Sequence, residues 1–472
     1  MKNGILILSA LLLMTSCKSE QKEPVEPEKA VAKEIAPMSD DVMESAVIYE
    51  ANIRQYSPEG TFEAFTKDIP QLRELGVKVI WLMPVFPISE TKRKATGGPD
   101  SKFASEFPEE EQAKYLGSYY AVTDFTKINP EFGTIEDFRK LVQTAHDNDI
   151  YVILDWVPNH TGWDHSWLKT NPEYYTQNDK GEVIHPEGTD WTDVADLNYD
   201  NKEMRKEMIE DMTYWITEEG VDGFRCDVAG SVPLDFWQEA IPELRAKKSL
   251  FMLAEAWEPE LLHEGLFDMA YGWDGHHLMN AMAKGEKTLE DYKAYIAKIS
   301  KDYEANDILM NFVTNHDENS WNGTIKERMG DASELMTALS FMLKGMPLIY
   351  SGQEYDLGHR LKFFEKDSFP KTKGKQWALL QKLGTLKNTN TALNGGKDAA
   401  TFDTLEAENG ILIIERTKGG KSILFIANLR NEAAKINVPR EGQYTDYMTG
   451  ESVELKGDAF DINANAFNIL IQ

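Results

Sequence analysis

The sequence predicts an α/β fold, namely a closed (β/α)8 TIM barrel followed by a small C-terminal antiparallel β-sandwich domain. Between residues 45 and 390, short β-branched apolar runs alternate with longer amphipathic segments. About eight such strand–helix repeats fit a closed barrel better than an open doubly wound sheet. After residue 390 the pattern changes to short alternating strands separated by Gly, Asn and Lys, which is typical of an antiparallel sandwich.

The barrel elements follow in chain order. Apolar runs such as "VKVIWLMPV" predict strands that are covered by helices on both faces. Amphipathic segments predict the helices, with Thr134 and Asp137 at one N-terminus and Gly76 at one C-terminus. The predicted strands are 46–56, 77–85, 150–157, 222–227, 249–255, 267–271, 308–314 and 346–351, and the predicted helices are 61–76, 134–149, 201–219, 233–246, 288–303, 331–344 and 374–388.

The domain organisation follows from these elements. The barrel occupies 45–390, with a short inserted subdomain at 161–198 after the third strand. Segments such as "GILIIERTK", "KSILFIANLR" and "AFNILIQ" alternate apolar and polar residues over a few positions, which predicts the sandwich domain at 391–472.

The N-terminus predicts export. Lys2 precedes "GILILSALLLM", an apolar run too short to span a bilayer comfortably. The stretch "LLLMTSC" resembles a bacterial lipoprotein signal, so that 1–17 would be a signal peptide with Cys17 as the acylated residue. The alternative is an ordinary secretory signal with Cys17 near its cleavage site. Residues 18–44 are rich in Pro, Glu and Lys and predict a disordered tether, which places the protein in the cell envelope, lipid-anchored to the outer membrane or a periplasmic face.

Charge and cysteine content exclude several classes of protein. The chain has 79 acidic and 50 basic residues and a net charge of −29. Nucleic-acid binding needs clustered Lys and Arg, so we do not expect a nucleic-acid partner. The acidic composition is more consistent with a neutral substrate. No protein partner is implied. Two cysteines, Cys17 and Cys226, make no disulfide framework.

Carboxylates follow four of the predicted strands: Asp155, Asp227, Glu255 and Asp317. The chemistry of a (β/α)8 barrel lies at this end of its strands. A charge after an apolar run is costly unless it is paired or used. One such acid could be a buried ion pair, but four at the same end predict an active site.

The stretch "GFRCDVAG" places Arg225 and Asp227 on one face of the fourth strand, because side chains two apart share a face. Phe224 and Cys226 then face the helical layer. Clustered acids could also hold a metal. No zinc spacing is present, however, and the charge of Arg225 opposes a cation there.

Paired carboxyl groups with histidines and an arginine suit the cleavage of a glycosidic bond. One carboxyl protonates the leaving oxygen and a second attacks the oxocarbenium-like carbon. In a retaining enzyme the two carboxyl groups lie about 5–5.5 Å apart.

Four segments in this order, "DWVPNH", "GFRCD", "LAEAW" and "FVTNHD", resemble the signature segments of the α-amylase family (glycoside hydrolase family 13) of retaining glycoside hydrolases. Auxiliary segments "YAVTDFTKINPEFGT", "VADLN" and "GMPLIYSGQE" match as well. The resemblance covers residues 46–472. It implies that Asp227 is the nucleophile, Glu255 the general acid/base and Asp317 a third carboxylate that holds sugar hydroxyls.

The resemblance also implies the substrate-binding residues. His160 and His316 resemble the family's donors to sugar hydroxyls, and Tyr120 resembles the aromatic platform for the same sugar. Arg225 would keep Asp227 ionised. Trp257 is one of six tryptophans near the site, some of which would line subsites. Asp155 matches a motif, but its expected role is structural.

The chain departs from the family after the nucleophile. A Lys-His pair often stands where this chain has Gly230 and Ser231. The lysine contacts the sugar chain beyond the cleavage point, and the histidine's carbonyl helps to hold calcium. No cofactor is required by this prediction. Calcium near Asn159 and Asp196 becomes doubtful.

The predicted function is hydrolysis of α-1,4-glucosidic bonds of starch or maltooligosaccharides with retention, through a covalent glycosyl-enzyme intermediate. The alternative is a glucanotransferase or a cyclomaltodextrinase or neopullulanase-like activity of the same family. A more remote alternative is a non-catalytic surface glycan-binding protein, which predicts the loss of one of the three carboxylates. All three are present.

Overall fold

A computed structural model describes Met1 and residues 35–408, 410–457 and 459–472. The predicted signal peptide, Cys17 and the tether up to residue 34 lie outside this range, apart from Met1. Within the described part of the chain, no helix is both long and apolar enough to cross a membrane.

Eight parallel strands close into a barrel, which confirms the predicted fold class. Each strand pairs with its neighbour in the chain, and the first strand pairs with the eighth. In chain order the strands are β1 (Val47–Ala51), β2 (Val77–Leu82), β3 (Tyr151–Trp156), β4 (Gly223–Cys226), β5 (Phe251–Ala254), β6 (Met269–Tyr271), β7 (Ile308–Asn311) and β8 (Met346–Tyr350).

Helices lie between the strands and cover the barrel. The longer ones match the predicted segments within about two residues, and the helix after β6 was not predicted. The α-helices are Asp40–Ser45, Ile53–Tyr56, Phe62–Thr66, Ile69–Leu72, Glu109–Gln112, Ile135–Asp147, Ser166–Thr170, Lys202–Thr217, Leu234–Arg245, Trp273–Ala283, Leu289–Asp302, Ile325–Met329, Ser333–Met342 and Lys375–Thr389.

The prediction of one helix over 61–76 is wrong. The segment forms two short α-helices, Phe62–Thr66 and Ile69–Leu72, followed by a 3-10 turn. Pro70 has no N–H and therefore cannot donate to the carbonyl of Thr66, so a continuous helix loses a hydrogen bond here. Gly76 ends the segment as predicted, with a left-handed φ of 76°.

The first strand is shorter than the predicted 46–56. β1 ends at Ala51, and Ile53–Tyr56 already forms a helical turn. Glu50 therefore lies one residue from the carboxyl end of β1, at the height of the active-site end of the barrel.

The barrel strands are buried on both faces. Ile48, Trp81, Ile153 and Met310 belong to the cluster inside the barrel. A larger cluster between strands and helices includes Phe224 and Cys226, and this confirms that these two side chains face the helical layer. Cys226 is a free, buried thiol.

The insert after β3 begins and ends with a two-stranded antiparallel pair, His160–Gly162 with Val194–Asp196. Between these strands lie the helix Ser166–Thr170 and the 3-10 turn Pro172–Tyr174. The pair places His160 directly after β3 and close to the barrel opening.

The C-terminal part is an antiparallel domain, as predicted. Its strands are β9 (Asp403–Leu405), β10 (Ile411–Lys418), β11 (Lys421–Asn428), β12 (Ala434–Asn437), β13 (Glu441–Asp446), β14 (Ser452–Lys456), β15 (Ala459–Ile462) and β16 (Phe467–Ile471). Six form one sheet in the order β9-β10-β11-β16-β13-β14, and β12 pairs with β15. Ile436 of β12 and Ile462 of β15 share an apolar core with Ile413 and Leu424 of the larger sheet.

Candidate active site

A cavity of about 450 Å³ opens at the carboxyl ends of the barrel strands. The cavity brings together six of the residues that the sequence singled out, namely Tyr120, His160, Asp227, Glu255, His316 and Asp317. A second cavity of about 650 Å³ lies between Thr314, Thr324, Glu334 and Gln353 and contains none of these residues. The smaller cavity is therefore the candidate active site.

Arg225 is the centre of the site. It is fully buried on β4. Its Nη1 donates to Asp155 Oδ1 at 2.8 Å and to Asp227 Oδ1 at 2.7 Å, and its Nη2 lies 2.8 Å from Glu255 Oε2. Nε donates to the hydroxyl of Tyr271 at 3.2 Å. One guanidinium thus holds carboxylates from three adjacent strands, which fixes their positions relative to one another.

Asp155 lies on the barrel wall behind the cavity. Its Oδ2 accepts hydrogen bonds from the indole of Trp81 at 3.1 Å and from the hydroxyl of Tyr120 at 3.2 Å. Burial raises the pKa of Asp155 to about 7, although Arg225 opposes the rise. Asp155 is fully buried, and its hydrogen bonds hold Arg225 and Tyr120 in place.

Burial also raises the pKa of Asp227, and Arg225 opposes that rise too. The contact predicted between Arg225 and Asp227 is present, but desolvation is the larger effect on this carboxyl. Arg225 therefore favours the ionised Asp227, in the direction that was predicted, while burial acts against it.

Glu255 follows β5. Burial and the neighbouring Asp227 raise its pKa, and Arg225 lowers it. A general acid must be protonated near neutral pH, so a raised pKa suits this role. Its Oε2 accepts a hydrogen bond from the amide of Val228 at 2.8 Å, which ties the acid to the turn that follows Asp227.

The turn after Asp227 is strained. Val228 has a φ of 38° and a left-handed conformation, which is unfavourable for a β-branched residue. This conformation points the Val228 amide at Glu255. The strained turn therefore helps to hold the carboxylate of Glu255 in place.

The two histidines have opposite electrostatic surroundings. Burial lowers the pKa of His160 to about 3, and its Nδ1 lies 3.2 Å from Asn159 Nδ2. Burial also lowers the pKa of His316, but Asp317 and Glu50 outweigh that effect and raise it to about 9. His160 is therefore neutral and His316 is charged at neutral pH.

Asp317 is the most exposed of the three carboxylates, with 38% of its side chain accessible. Its Oδ1 accepts a hydrogen bond from the indole of Trp321 at 3.2 Å, and its Oδ2 lies 3.3 Å from His316 Nε2. The carboxylate is thus held on both sides while it still faces the cavity.

A family model for the alpha-amylase catalytic domain matches residues 39–382, which is well over half of the chain. The chain belongs to the alpha-amylase family.

Individual relatives agree with this assignment. An alpha-amylase from Lactobacillus plantarum superposes with a TM-score of 0.78 at 29% identity, over 92% of this chain and 100% of that one. Alpha-amylase MalA of Haloarcula japonica is 25% identical over 430 residues, which cover 88% of this chain and 60% of the relative. A 4-alpha-glucanotransferase of Thermotoga neapolitana is 29% identical over 334 residues, or 62% of this chain and 67% of the relative.

Gly230 lies beside the side chain of Glu258. A Cβ at Gly230 would lie 2.4 Å from Glu258 Oε2. The same carboxylate oxygen accepts a hydrogen bond from the Trp257 amide at 2.9 Å. A larger residue at position 230 would therefore require the Glu258 carboxylate to move and to give up this hydrogen bond.

Trp257 does not line the cavity. Its indole is 52% exposed and stacks on Trp273 at 5.4 Å. The sequence predicts Trp257 to be among the tryptophans near the site, whereas the structure exposes its indole beside Trp273. Any contact between Trp257 and a glycan would lie outside the cavity.

The prediction about calcium near Asn159 and Asp196 stays a prediction. Calcium takes six to eight oxygen ligands. Over the described ranges, no group of three or more His, Cys, Asp or Glu side chains could hold a metal ion. The backbone carbonyls of Asn159 and Asp196 already accept hydrogen bonds from Leu197 and Thr176. We derive no step through a metal.

Sequence reasoning missed several residues of the site. Glu50 contacts His316, while Lys94 and Phe363 line the cavity. Glu50 carried a signal, since it is an acid near the end of an apolar strand. Lys94 and Phe363 lie in long loops, where no periodicity marks a residue that reaches the cavity.

Proposed function

We propose that this protein is a retaining α-glucan hydrolase that cleaves α-1,4-glucosidic bonds of starch or maltooligosaccharides. The observation that carries the proposal is the convergence of Asp227 and Glu255 on Arg225, beside the exposed carboxylate of Asp317. The chain spans 60% of the length of the Haloarcula relative, so its activity rests on this site rather than on the relative's name.

The chemistry follows from the positions of these groups. Asp227 attacks the anomeric carbon, and the bond to the leaving oxygen breaks as Glu255 donates its proton to that oxygen. Glu255, now a carboxylate, takes a proton from water, which attacks the same carbon and releases Asp227. Two inversions give net retention.

The remaining side chains bind and orient the sugar. Asp317 accepts hydrogen bonds from hydroxyl groups, and His316 donates to an oxygen from Nε2. Tyr120 packs with its ring parallel to His316 at 5.7 Å. Since its hydroxyl contacts Asp155 and His316, Tyr120 offers its ring to the sugar rather than its hydroxyl.

A glucanotransferase remains the second candidate. Two observations favour it, the similarity to the Thermotoga 4-alpha-glucanotransferase and the presence of Gly230 where the family often has a lysine. In a transferase a sugar hydroxyl replaces water in the second step, and the residues at the acceptor side decide between the two.

We further propose that the protein works outside the cytoplasm and is anchored to the cell envelope by a lipid on Cys17. The lipoprotein-like stretch "LLLMTSC" and the Pro- and Glu-rich segment after it support this proposal. We keep the predicted boundaries of 18–44 for a tether, 45–390 for the catalytic domain, 161–198 for its insert and 391–472 for the C-terminal domain. Globomycin treatment of expressing cells should cause the uncleaved precursor to accumulate; unchanged processing would contradict the anchor.

The product profile tests the reaction. Purified enzyme is incubated with maltotriose, starch, pullulan and cyclodextrin, and ¹H NMR follows the anomer that forms first. Release of the α-anomer from maltotriose supports retaining hydrolysis. Maltooligosaccharides longer than the substrate support transfer, whereas an initial β-anomer or no turnover on all four contradicts the proposal.

A further inference from the structure

Glu50 has no role in the mechanism so far, although it lies at the floor of the site. It is fully buried near the end of β1. Its Oε1 lies 2.5 Å from Nδ1 of His316 and 3.3 Å from the His316 amide nitrogen. Its Oε2 is buried and has no hydrogen-bond partner among the described residues. Burying a carboxylate is costly unless it is paired. The partner of the Glu50 carboxylate is the ring of His316.

The other ring nitrogen of His316 also faces oxygen atoms. Nε2 lies 2.8 Å from the hydroxyl of Tyr120 and 3.3 Å from Asp317 Oδ2. The ring is held edge-on to Trp81 at 5.9 Å and stacked on Tyr120. A neutral imidazole carries one proton, whereas two carboxylates at opposite nitrogens match a ring with a proton on each.

We propose that Glu50 is a positioning residue that keeps His316 doubly protonated, so that Nε2 carries a proton on the side of the ring that meets Tyr120 and Asp317 at the cavity. The functional part of this inference rests on the proposed glycosidase activity. The protonation state of the His316 ring does not depend on that activity and can be measured separately.

The charges around His316 support Glu50 as the controlling group. Burial acts against the charged ring and Arg225 repels it, while Asp317 and Glu50 favour it strongly enough to raise its pKa to about 9. Asp317 is partly exposed and its field is screened by solvent, whereas Glu50 is fully buried. The ionisable groups that face the ring or interact with it from the surrounding strands and loops are Glu50, Tyr120, Asp155, Arg225, Asp227, Glu255 and Asp317.

A His316 ring that is charged at neutral pH has two consequences for catalysis. Its Nε2 already carries the proton that a donor to a sugar oxygen needs, and the sugar oxygen competes for it with the Tyr120 hydroxyl at 2.8 Å. Its positive charge also lowers the pKa of the nearby Asp227 carboxyl, which offsets part of the effect of burial and favours the ionised nucleophile.

The test is Glu50→Gln, which keeps the size and the oxygen of the side chain and removes its charge. Ring nitrogens are observed by ¹H–¹⁵N NMR in protein labelled on histidine, and the His316 signals are assigned by their loss in His316→Gln. In the wild type both nitrogens should remain protonated at pH 8. In Glu50→Gln the titration midpoint of His316 should fall by about 1–3 pH units, the usual effect of one opposite charge at this range.

Glu354→Gln is the matched control. Glu354 is also fully buried, follows β8, and accepts a hydrogen bond from the hydroxyl of Tyr49 at 2.6 Å, but it does not contact His316. This variant should leave the His316 titration within a few tenths of a pH unit. An equal shift in both variants would mean a general loss of packing and would overturn the inference.

The wild type alone keeps the inference testable if Glu50→Gln does not fold, because a neutral His316 ring at pH 8 contradicts it directly. Kinetics give the second readout. Glu50→Gln should lower kcat by about 10-fold or more with little change in KM, and in a His316→Gln background it should have no further effect on kcat. Independent effects in the double variant contradict the proposed route through His316. If the wild type shows no glycosidase activity, the proposed function fails while the NMR result still decides the state of His316.

Discussion

Two fully buried cations of this protein, Arg225 and Lys387, have different partners. Lys387, near the C-terminal end of the last barrel helix, donates to the backbone carbonyls of Glu44, Gly345 and Leu393 at 2.6–3.0 Å. These three contacts use every ammonium proton. Arg225 instead meets carboxylates, and two of them, Asp227 and Glu255, also line the cavity. We therefore expect Lys387 to contribute to the stability of the fold, and Arg225 to contribute to turnover by holding the cavity carboxylates.

The largest expected effect comes from a partner of Arg225. Asp227→Asn should lower kcat on the order of 10⁴–10⁶-fold, because the nucleophile is lost. Binding of maltooligosaccharide, measured by calorimetry, should persist. Asp235→Asn is a control on an exposed helix position whose carboxylate pairs with Arg205, and it should keep full turnover. Undiminished turnover by Asp227→Asn would refute the assignment of the nucleophile.

A smaller loss of kcat/KM is expected for Trp321, because its indole contacts the carboxylate of Asp317. Trp321→Phe keeps the aromatic contact with Phe363 at 5.0 Å and removes the hydrogen bond to Asp317. A hydrogen bond to a charged group is worth about 1.5–3 kcal/mol, so kcat/KM on maltotriose should fall by about 10-fold. An equal loss in an Asp317→Asn background would show that the indole acts independently of Asp317.

Gly97→Ala disturbs the same indole without removing its N–H. A Cβ at Gly97 would lie 2.7 Å from two carbons of the Trp321 ring, so the ring must move. We expect kcat/KM to fall by about 3-fold, below the ~100-fold that a 1 Å misplacement can cause. Gly358→Ala is the control, because its Cβ would meet only an ordinary contact at 3.7 Å. Equal kinetics of the two variants would contradict the predicted displacement.

The smallest effect on turnover is expected at Lys387. Lys387→Met leaves buried carbonyls without a donor and should lower the free energy of unfolding by about 1–3 kcal/mol. The kcat of the folded enzyme should stay unchanged, since none of the contacts of Lys387 lies in the cavity. Denaturant unfolding and initial rates at 20 °C measure the two quantities. A tenfold drop in kcat would end the distinction between the two cations.

Lys387 also predicts a pH dependence of stability. Burial lowers its pKa to about 7, whereas an unfolded lysine has a pKa of about 10.4. Unfolding therefore takes up a proton between about pH 7 and 10, and stability should rise with pH across this window. The difference between the wild type and Lys387→Met, measured by urea unfolding at pH 7 and 9, should grow in favour of the wild type. A constant difference would indicate that Lys387 stays charged in the fold.

The barrel was predictable because its strands are short apolar runs and most of its helices carry an amphipathic periodicity. The acids were predictable because a charge after an apolar run is rare, and this applies to Asp227 and Glu255 alike. Glu50 carried the same signal. The predicted strand, however, extends to residue 56, through a segment that forms a helical turn. This prediction places Glu50 in the middle of a strand instead of near its carboxyl end.

Other parts of the site could not be predicted from local sequence. Glu50 and His316 are 266 residues apart, and only closure of the barrel between β1 and β8 brings them together. The contact between Gly230 and Glu258 depends on how two loops pack after their strands. The break at Pro70 was available from the sequence, but apolar periodicity on both sides of the proline hid it.

The left-handed Val228 has a consequence for how this protein can change. A non-glycine residue in this conformation costs about 1–2 kcal/mol, and glycine removes that cost. A screen that rewards thermal resistance alone would therefore enrich glycine at 228 and loosen the amide that orients Glu255. A screen that rewards turnover would retain a side chain there. We therefore expect a trade-off between stability and turnover at residue 228.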